Sequence, residues 1–268
     1  MAFYLHFTMK GDLTLKEAKA LAYVNAYGVL GTLENLCELD DQAKEILKTL
    51  KKPVSLCFEV AGGPCVTYHF TQSGCRMEEG AANCTCKMAF TSPEKFNALI
   101  DEAKPGMPVK GIPTVLSFLL GPFTKLTDRL TQLLRPSDAD LKDRAFFEES
   151  TILTFYTIAG AISALANQDS ISQQSALYTV DGKVQMGIKD VCYATIDVKN
   201  HHFTTIKSKC ENPRAVMEFS SIDLAYGLFT GTASTIAELC HGNIYMAGMI
   251  SMVDNLNRIL DRVAAYLG

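Results

Sequence analysis

Five cysteines fall within about thirty residues of this chain: Cys57, Cys65, Cys75, Cys84 and Cys86. A cluster of that kind is where a thiolate-bound metal or a redox pair would be sought. Zinc and iron–sulfur sites draw on C-x-x-C pairs or on histidines at fixed spacings. Neither spacing occurs here. The nearest approach is Cys84-Thr85-Cys86, where two thiols in an extended strand would share a face and could bind or oxidise together. The chain's nine cysteines are odd in number and follow no disulfide framework. They read as small apolar packing residues in a reducing compartment, with no metal site.

Acid–base and nucleophilic groups are as dispersed. The five histidines are scattered. His201-His202 reads as a solvated turn, and His241 precedes Gly242 at a helix end. His69 sits in a strand beside Tyr68, with no acid or nucleophile spaced to make a unit with it. Glu148-Glu149 could be a carboxylate pair, but adjacent helical residues diverge and acids suit a helix start. The chain has no G-x-G-x-x-G, P-loop, G-x-S-x-G or H-E-x-x-H motif. The expectation is a protein that is not an enzyme, with no catalytic residue and no cofactor.

The elements are more informative, because one stretch occurs twice. Residues 83–100 read NCTCKMAFTSPEKFNALI and 212–229 read NPRAVMEFSSIDLAYGLF. One offset, 129 (219 − 90), pairs Asn83 with Asn212, Met88 with Met217, Phe90 with Phe219, Ser92 with Ser221 and Leu99 with Leu228. Each copy reads as a strand running into a capped helix. Thr91-x-x-Glu94 and Ser220-x-x-Asp223 have the form of capping boxes. Repetition sets architecture before single residues are interpreted. It predicts two domains, 1–136 and 137–268, joined at Arg135-Pro136-Ser137-Asp138.

Periodicity and turn residues fill in each half. Helices are expected over 14–33 and 40–51, then strands over 54–60, 66–71, 75–78 and 84–90. A helix over 92–103 and an amphipathic stretch over 115–134 complete the first half. The second repeats the order: a helix over 146–167, and strands over 177–180, 183–189, 192–198, 203–207 and 214–219. A helix over 221–230, a short helix through Glu238, a strand over 244–247 and a terminal helix follow. Asp181-Gly182 reads as a hairpin turn. The fold class is α+β: two tandem copies of an antiparallel sheet with helices on one face, packed as an internal pseudo-dimer.

At 268 residues, 48% hydrophobic and 20% charged, the chain can bury a substantial core. A net charge of −4 gives no electrostatic invitation to nucleic acid. The opening MAFYLHFTMKG has no basic region ahead of an apolar core, so no signal peptide is expected. The apolar segment 151–166 is shorter than the roughly 20 residues a bilayer requires. It reads as a buried core helix, and an interfacial helix is the other reading. The expectation is a soluble, cytoplasmic protein with no integral membrane segment and at most transient membrane-surface contact. Its oligomeric state is left open.

The second half resembles the sterol-carrier-protein lipid-binding domain. The resemblance rests on Arg214-Ala215-Val216-Met217-Glu218-Phe219-Ser220, on His241-Gly242-Asn243-Ile244-Tyr245-Met246-Ala247-Gly248, and on the helix carrying Met249, Met252, Leu256 and Leu260. It covers roughly 176–266. A weaker match covers 54–134, with Gly106-Met107-Pro108-Val109-Lys110-Gly111 in place of the glycine-flanked strand. The resemblance implies a non-catalytic fold enclosing an apolar tunnel for a fatty acid, acyl-CoA, sterol or related lipid. It places that cavity against Phe219, Leu224, Leu228, Met246, Met249 and Met252. Methionine suits such a wall, being unbranched and polarizable. The residues alone leave a second reading open, a protein-interaction module with filled cores and no ligand.

Overall fold

In the computed structural model, residues 15–81, 84–102, 109–110 and 113–267 are described. Asn83, Thr14 and most of the 106–111 segment lie outside them. The chain divides into two compact units, Leu21–Leu153 and Thr154–Gly268 with the N-terminal residues to Ala20. The division falls inside one long helix.

A nearly continuous helical run, which enters the first unit at Leu21, comes first: α1 (Leu15–Tyr23), a π-turn at Val24–Val29, a 3-10 turn at Leu30–Thr32, and α2 (Leu33–Leu39). Gly28 and Gly31 do not end it. The π-turn has a use, because the fully buried Tyr68 donates its hydroxyl to the Ala26 carbonyl at 2.5 Å. A buried phenol needs such a partner. Next comes α3 (Asp41–Lys48), capped by Asp40, whose Oδ1 accepts from Ala43 N–H at 2.6 Å. Strands β1 (Val54–Val60), β2 (Cys65–Thr71), β3 (Gly74–Glu79) and β4 (Cys86–Phe90) follow, then α4 (Pro93–Glu102) and β5 (Val109–Lys110). Helices α5 (Pro113–Phe118) and α6 (Thr124–Leu134), joined by a π-turn at Leu119–Phe123, complete the order.

The sheet order is β3-β2-β1-β4-β5. β1 and β2 are antiparallel (Phe58 opposite Val66), but β1 and β4 are parallel (Phe58 opposite Met88). The expected all-antiparallel sheet is therefore corrected. β4 lies on the edge of β1 away from β2 and runs in the direction of β1. Cys86, Met88 and Phe90 are buried on one face of β4 while Lys87 and Ala89 are exposed, the alternation that CKMAF prescribes.

The second unit takes up α7 (Arg144–Gln168), then α8 (Ser172–Leu177), β6 (Gly182–Ile188), β7 (Cys192–Lys199), β8 (His202–Ile206), β9 (Ala215–Phe219), α9 (Ile222–Phe229), α10 (Thr235–Cys240), β10 (Ile244–Gly248) and α11 (Ile250–Leu267). By length and composition α7 could cross a membrane, yet 78% of its most apolar window is buried inside the protein. It reaches β8 through Asn167, which donates to the Phe203 carbonyl (2.8 Å) and accepts from the Phe203 N–H (2.9 Å). An amide used this way satisfies an edge strand that would otherwise expose its ladder.

The sheet order is β10-β9-β6-β7-β8, with β6 parallel to β9 (Met186 opposite Met217). Strand for strand this is the topology of the first unit. One hydrogen bond is common to both: Thr67 Oγ1 donates to the Gly80 carbonyl at 2.6 Å, and Thr195 Oγ1 to the Ser208 carbonyl at 2.8 Å.

Two local expectations are corrected. Residues 177–180 form no strand, and Asp181-Gly182 is no hairpin turn. Both edges of β6 are taken, by β7 and β9, so a strand there would have no edge to pair with. The two-residue hairpin lies at Asn200-His201, both with positive φ (48° and 62°), between paired Lys199 and His202. Secondly, α9 is capped by Ser221, which accepts from Leu224 N–H, and not by Ser220. The Ser220 N–H is committed to the Asn243 carbonyl at 2.9 Å, which keeps that residue in the sheet.

Candidate functional site

The inner face of the second sheet is apolar because its inward residues alternate with half-buried ones: Ala215, Met217 and Phe219 on β9 are buried, and Val216 and Glu218 are not. Helices cover that face without filling it. A cavity of about 60 Å³ remains, walled on the sheet side by Met186, Met217, Phe219, Ile244 and Met246. From the helices, α7 contributes Phe155 and Ile158, α9 Leu228 and Phe229, and α11 Leu260, Val263 and Ala264. Among the described residues two polar ones reach it, Thr235 at the start of α10 and Asn257 on α11.

Two glycines shape the wall. Gly242 (φ 76°) ends α10, and Gly248 (φ 80°) ends β10. A Cβ on Gly248 would collide with the Arg214 carbonyl oxygen, so no other residue fits between β10 and α11. The motif from His241 to Gly248 thus encodes helix stop, strand and sharp exit.

The helix α11 is fastened over the cavity by a buried acid. Asp169 is 3% exposed and accepts from Arg262 Nε (3.1 Å) and Nη2 (3.0 Å) and from the Tyr266 hydroxyl (2.9 Å). It also accepts from Ser172 N–H (2.9 Å) and Oγ (2.8 Å) at the first residue of α8. Burial alone would raise its pKa; the Arg262 guanidinium and the bonds from Ser172 and Tyr266 outweigh that and hold it below the ordinary carboxylate range.

Of the six residues singled out from sequence, Phe219, Leu228 and Met246 meet at this cavity. Leu224 is half-buried on α9, Met249 is half-buried just before α11, and Met252 is buried elsewhere in the core; none of the three lines it. The lining part of α11 lies further along, from Asn257 to Ala264.

The strand registers identify the positions of the first unit that correspond. Phe58 matches Met186, Tyr68 matches Ile196 and Phe70 matches Val198, each at the same pairing in its sheet. In the first unit these rings contact one another and further rings: Phe58 lies 5.8 Å from Phe96 and from Tyr68 and 6.3 Å from Phe123. At the place that matches Met186 the first unit carries the ring of Phe58, against Tyr68, Phe96 and Phe123.

Elsewhere, the structure brings to His69 the nucleophile and acid that sequence spacing did not. Ser55 Oγ lies 2.7 Å from Nδ1, and Glu78 Oε2 lies 3.3 Å from Nε2. The second approach lacks hydrogen-bond geometry, and Nε2 has no hydrogen-bond partner. Cross-strand pairing of β1, β2 and β3, invisible in linear spacing, assembles the trio. Cys84 precedes β4, so it does not share a strand face with Cys86. Burial, followed by the neighbouring Cys84, raises the Cys86 pKa, and burial pushes that of Cys57 up to about 12. Among the described residues no group of three His, Cys, Asp or Glu side chains could hold a metal ion.

No family model and no curated protein matches the chain. Among solved structures it is similar to a sterol carrier protein 2-like protein of Aedes aegypti, at 18% identity and a TM-score of 0.31 over 41% of this chain and 93% of that one. It is also similar to the sterol carrier protein domain 2 of Helicoverpa armigera, at 16% identity and a TM-score of 0.33 over 43% and 88%.

Proposed function

We propose that the second unit binds an apolar small molecule, a lipid or sterol-like compound, as a non-catalytic carrier. The observation that supports this is the cavity itself: an apolar space under α11 whose walls include Met186, Met217 and Met246. Each ligand methylene buried there contributes about 0.8 kcal/mol. At about 60 Å³ the cavity holds only part of such a ligand, and unbranched methionines are the side chains that can turn to widen it. Cytoplasmic carriage by a duplicated unit, one copy of which keeps the open cavity, belongs to the same reading.

Native mass spectrometry of the purified chain, with organic extraction of anything bound, tests it. A lipid at one per chain is expected. A ligand-free mass that stays unchanged after incubation with fatty acids, long-chain alcohols and sterols would remove the proposal.

A further inference from the structure

We propose that the cavity selects an uncharged apolar ligand with a single neutral hydrogen-bonding head group, held by Thr235 and Asn257. This rests on the ligand-binding reading of the same cavity and narrows it from lipids in general to one class.

The chemistry of the wall carries the inference. Twelve of its fourteen residues are apolar, and the two polar ones are both neutral. Both residues line the cavity and are half-buried, and neither the Thr235 hydroxyl nor the Asn257 carboxamide is engaged by another described side chain. Each offers a donor and an acceptor, the pair that an alcohol, ester or ketone can satisfy. A carboxylate or phosphate would need a cation, and the helices that supply these two residues have none to give. The basic residues of α10 and α11 are Arg258 and Arg262. Arg258 is bound to Asp254 at 3.1 Å and Arg262 to Asp169 at 3.0 Å. On the same two helices Glu238 and Asp261 add only negative charge. An anion entering an apolar space without a counter-ion loses its hydration with little in return.

The test compares three probes of one chain length on the full chain at pH 8: an n-alcohol, the fatty acid and the n-alkane. The alcohol should bind on the order of tenfold more tightly than the carboxylate, which is buried without a counter-ion. Asn257→Leu should weaken the alcohol about three- to tenfold, the worth of a hydrogen bond, and leave the alkane unchanged. Thr235→Val, nearly isosteric, is the second variant and should act in the same direction with an unchanged thermal midpoint. A carboxylate that binds as tightly as the alcohol, or an alcohol-to-alkane ratio unmoved by both substitutions, would overturn the head-group assignment while leaving apolar binding intact. If none of the three probes binds, the ligand-binding reading fails with it.

Discussion

Asp40 and Asp169, 129 residues apart (169 − 40), perform the same two tasks in their own units. Each accepts from the backbone N–H three residues on, in the short helix that follows: Asp40 from Ala43 and Asp169 from Ser172. Each also takes two N–H groups of one arginine from the last helix of its unit's repeat: Arg129 at 2.9 and 2.7 Å, Arg262 at 3.1 and 3.0 Å. Both acids are 3% exposed. The two units thus share a buried ionic joint as well as a strand order.

Breaking that joint in the second unit should free α11. Asp169→Ala leaves Arg262 without its carboxylate, and removing one partner of a buried pair costs about 3 kcal/mol. Denaturant unfolding measures the loss. The pH dependence has a definite sign: a carboxyl held below its ordinary value stabilises above the unfolded pKa of about 3.9 and loses that effect as pH falls through the folded value. Acid should therefore loosen the second unit below about pH 4 in the parent chain, and less so in Asp169→Asn.

Glu149 should behave in the opposite sense. Burial first, then the charge of Asp40, raises its pKa to about 7 against the opposing pull of Arg129. Its Oε1 is buried without a hydrogen-bond partner. A raised acid stabilises the fold below its unfolded pKa and loses that contribution as pH rises through the folded one, so stability should decline between about pH 4 and 7. Glu149→Gln should flatten this decline and stabilise the chain at pH 8 by about 1–2 kcal/mol. A thermal-melt series from pH 4 to pH 8 reads both.

Exchanging the two cores at one register position separates cavity from scaffold. Met186→Phe places in the second unit the ring that Phe58 supplies to the first, and should abolish ligand binding while circular dichroism shows the fold retained. Phe58→Ala should cost the first unit about 3–5 kcal/mol, because it opens a hole among contacting rings. Calorimetry distinguishes the two outcomes.

Thiol titration should be ordered by burial. Cys240, exposed on α10, should react first with a disulfide reagent. Cys57 and Cys192, both pushed up to about 12 chiefly by burial, should react only on unfolding.

The wall strand β9 can be read from residues alone, because it alternates cleanly: Met217 and Phe219 are buried as AVMEF requires. β1 is legible end to end from its β-branched and aromatic composition, although its burial does not alternate. What escapes is whatever depends on distant pairing. The parallel contact of Phe58 with Met88 has no local signature. Nor has the meeting of Ser55, His69 and Glu78, which three strands bring together. At the cavity, methionine content directs attention to Met249 and Met252 at the start of α11, whereas helix packing turns Asn257, Leu260 and Val263 toward the space. Asp169 could have been found by carrying the 129-residue offset from Asp40 into the second half, but the same offset takes Arg129 to Arg258, whereas the arginine that meets Asp169 is Arg262, one helical turn further on.

The parallel pair also governs the order in which the second sheet can assemble. Strands β6 and β7 meet across three residues, with Ile188 opposite Cys192, whereas Val184 must wait for Ala215, 31 residues on (215 − 184). A hairpin of the first kind closes in roughly 1–10 μs, while closure over the longer loop carries more entropy. Amide protection during refolding should therefore begin on β7 and reach β9 and β10 last. The wall that holds Phe219 and Met246 is in this way the final part of the unit to become solid, and a lipid met during refolding would find its seat still open.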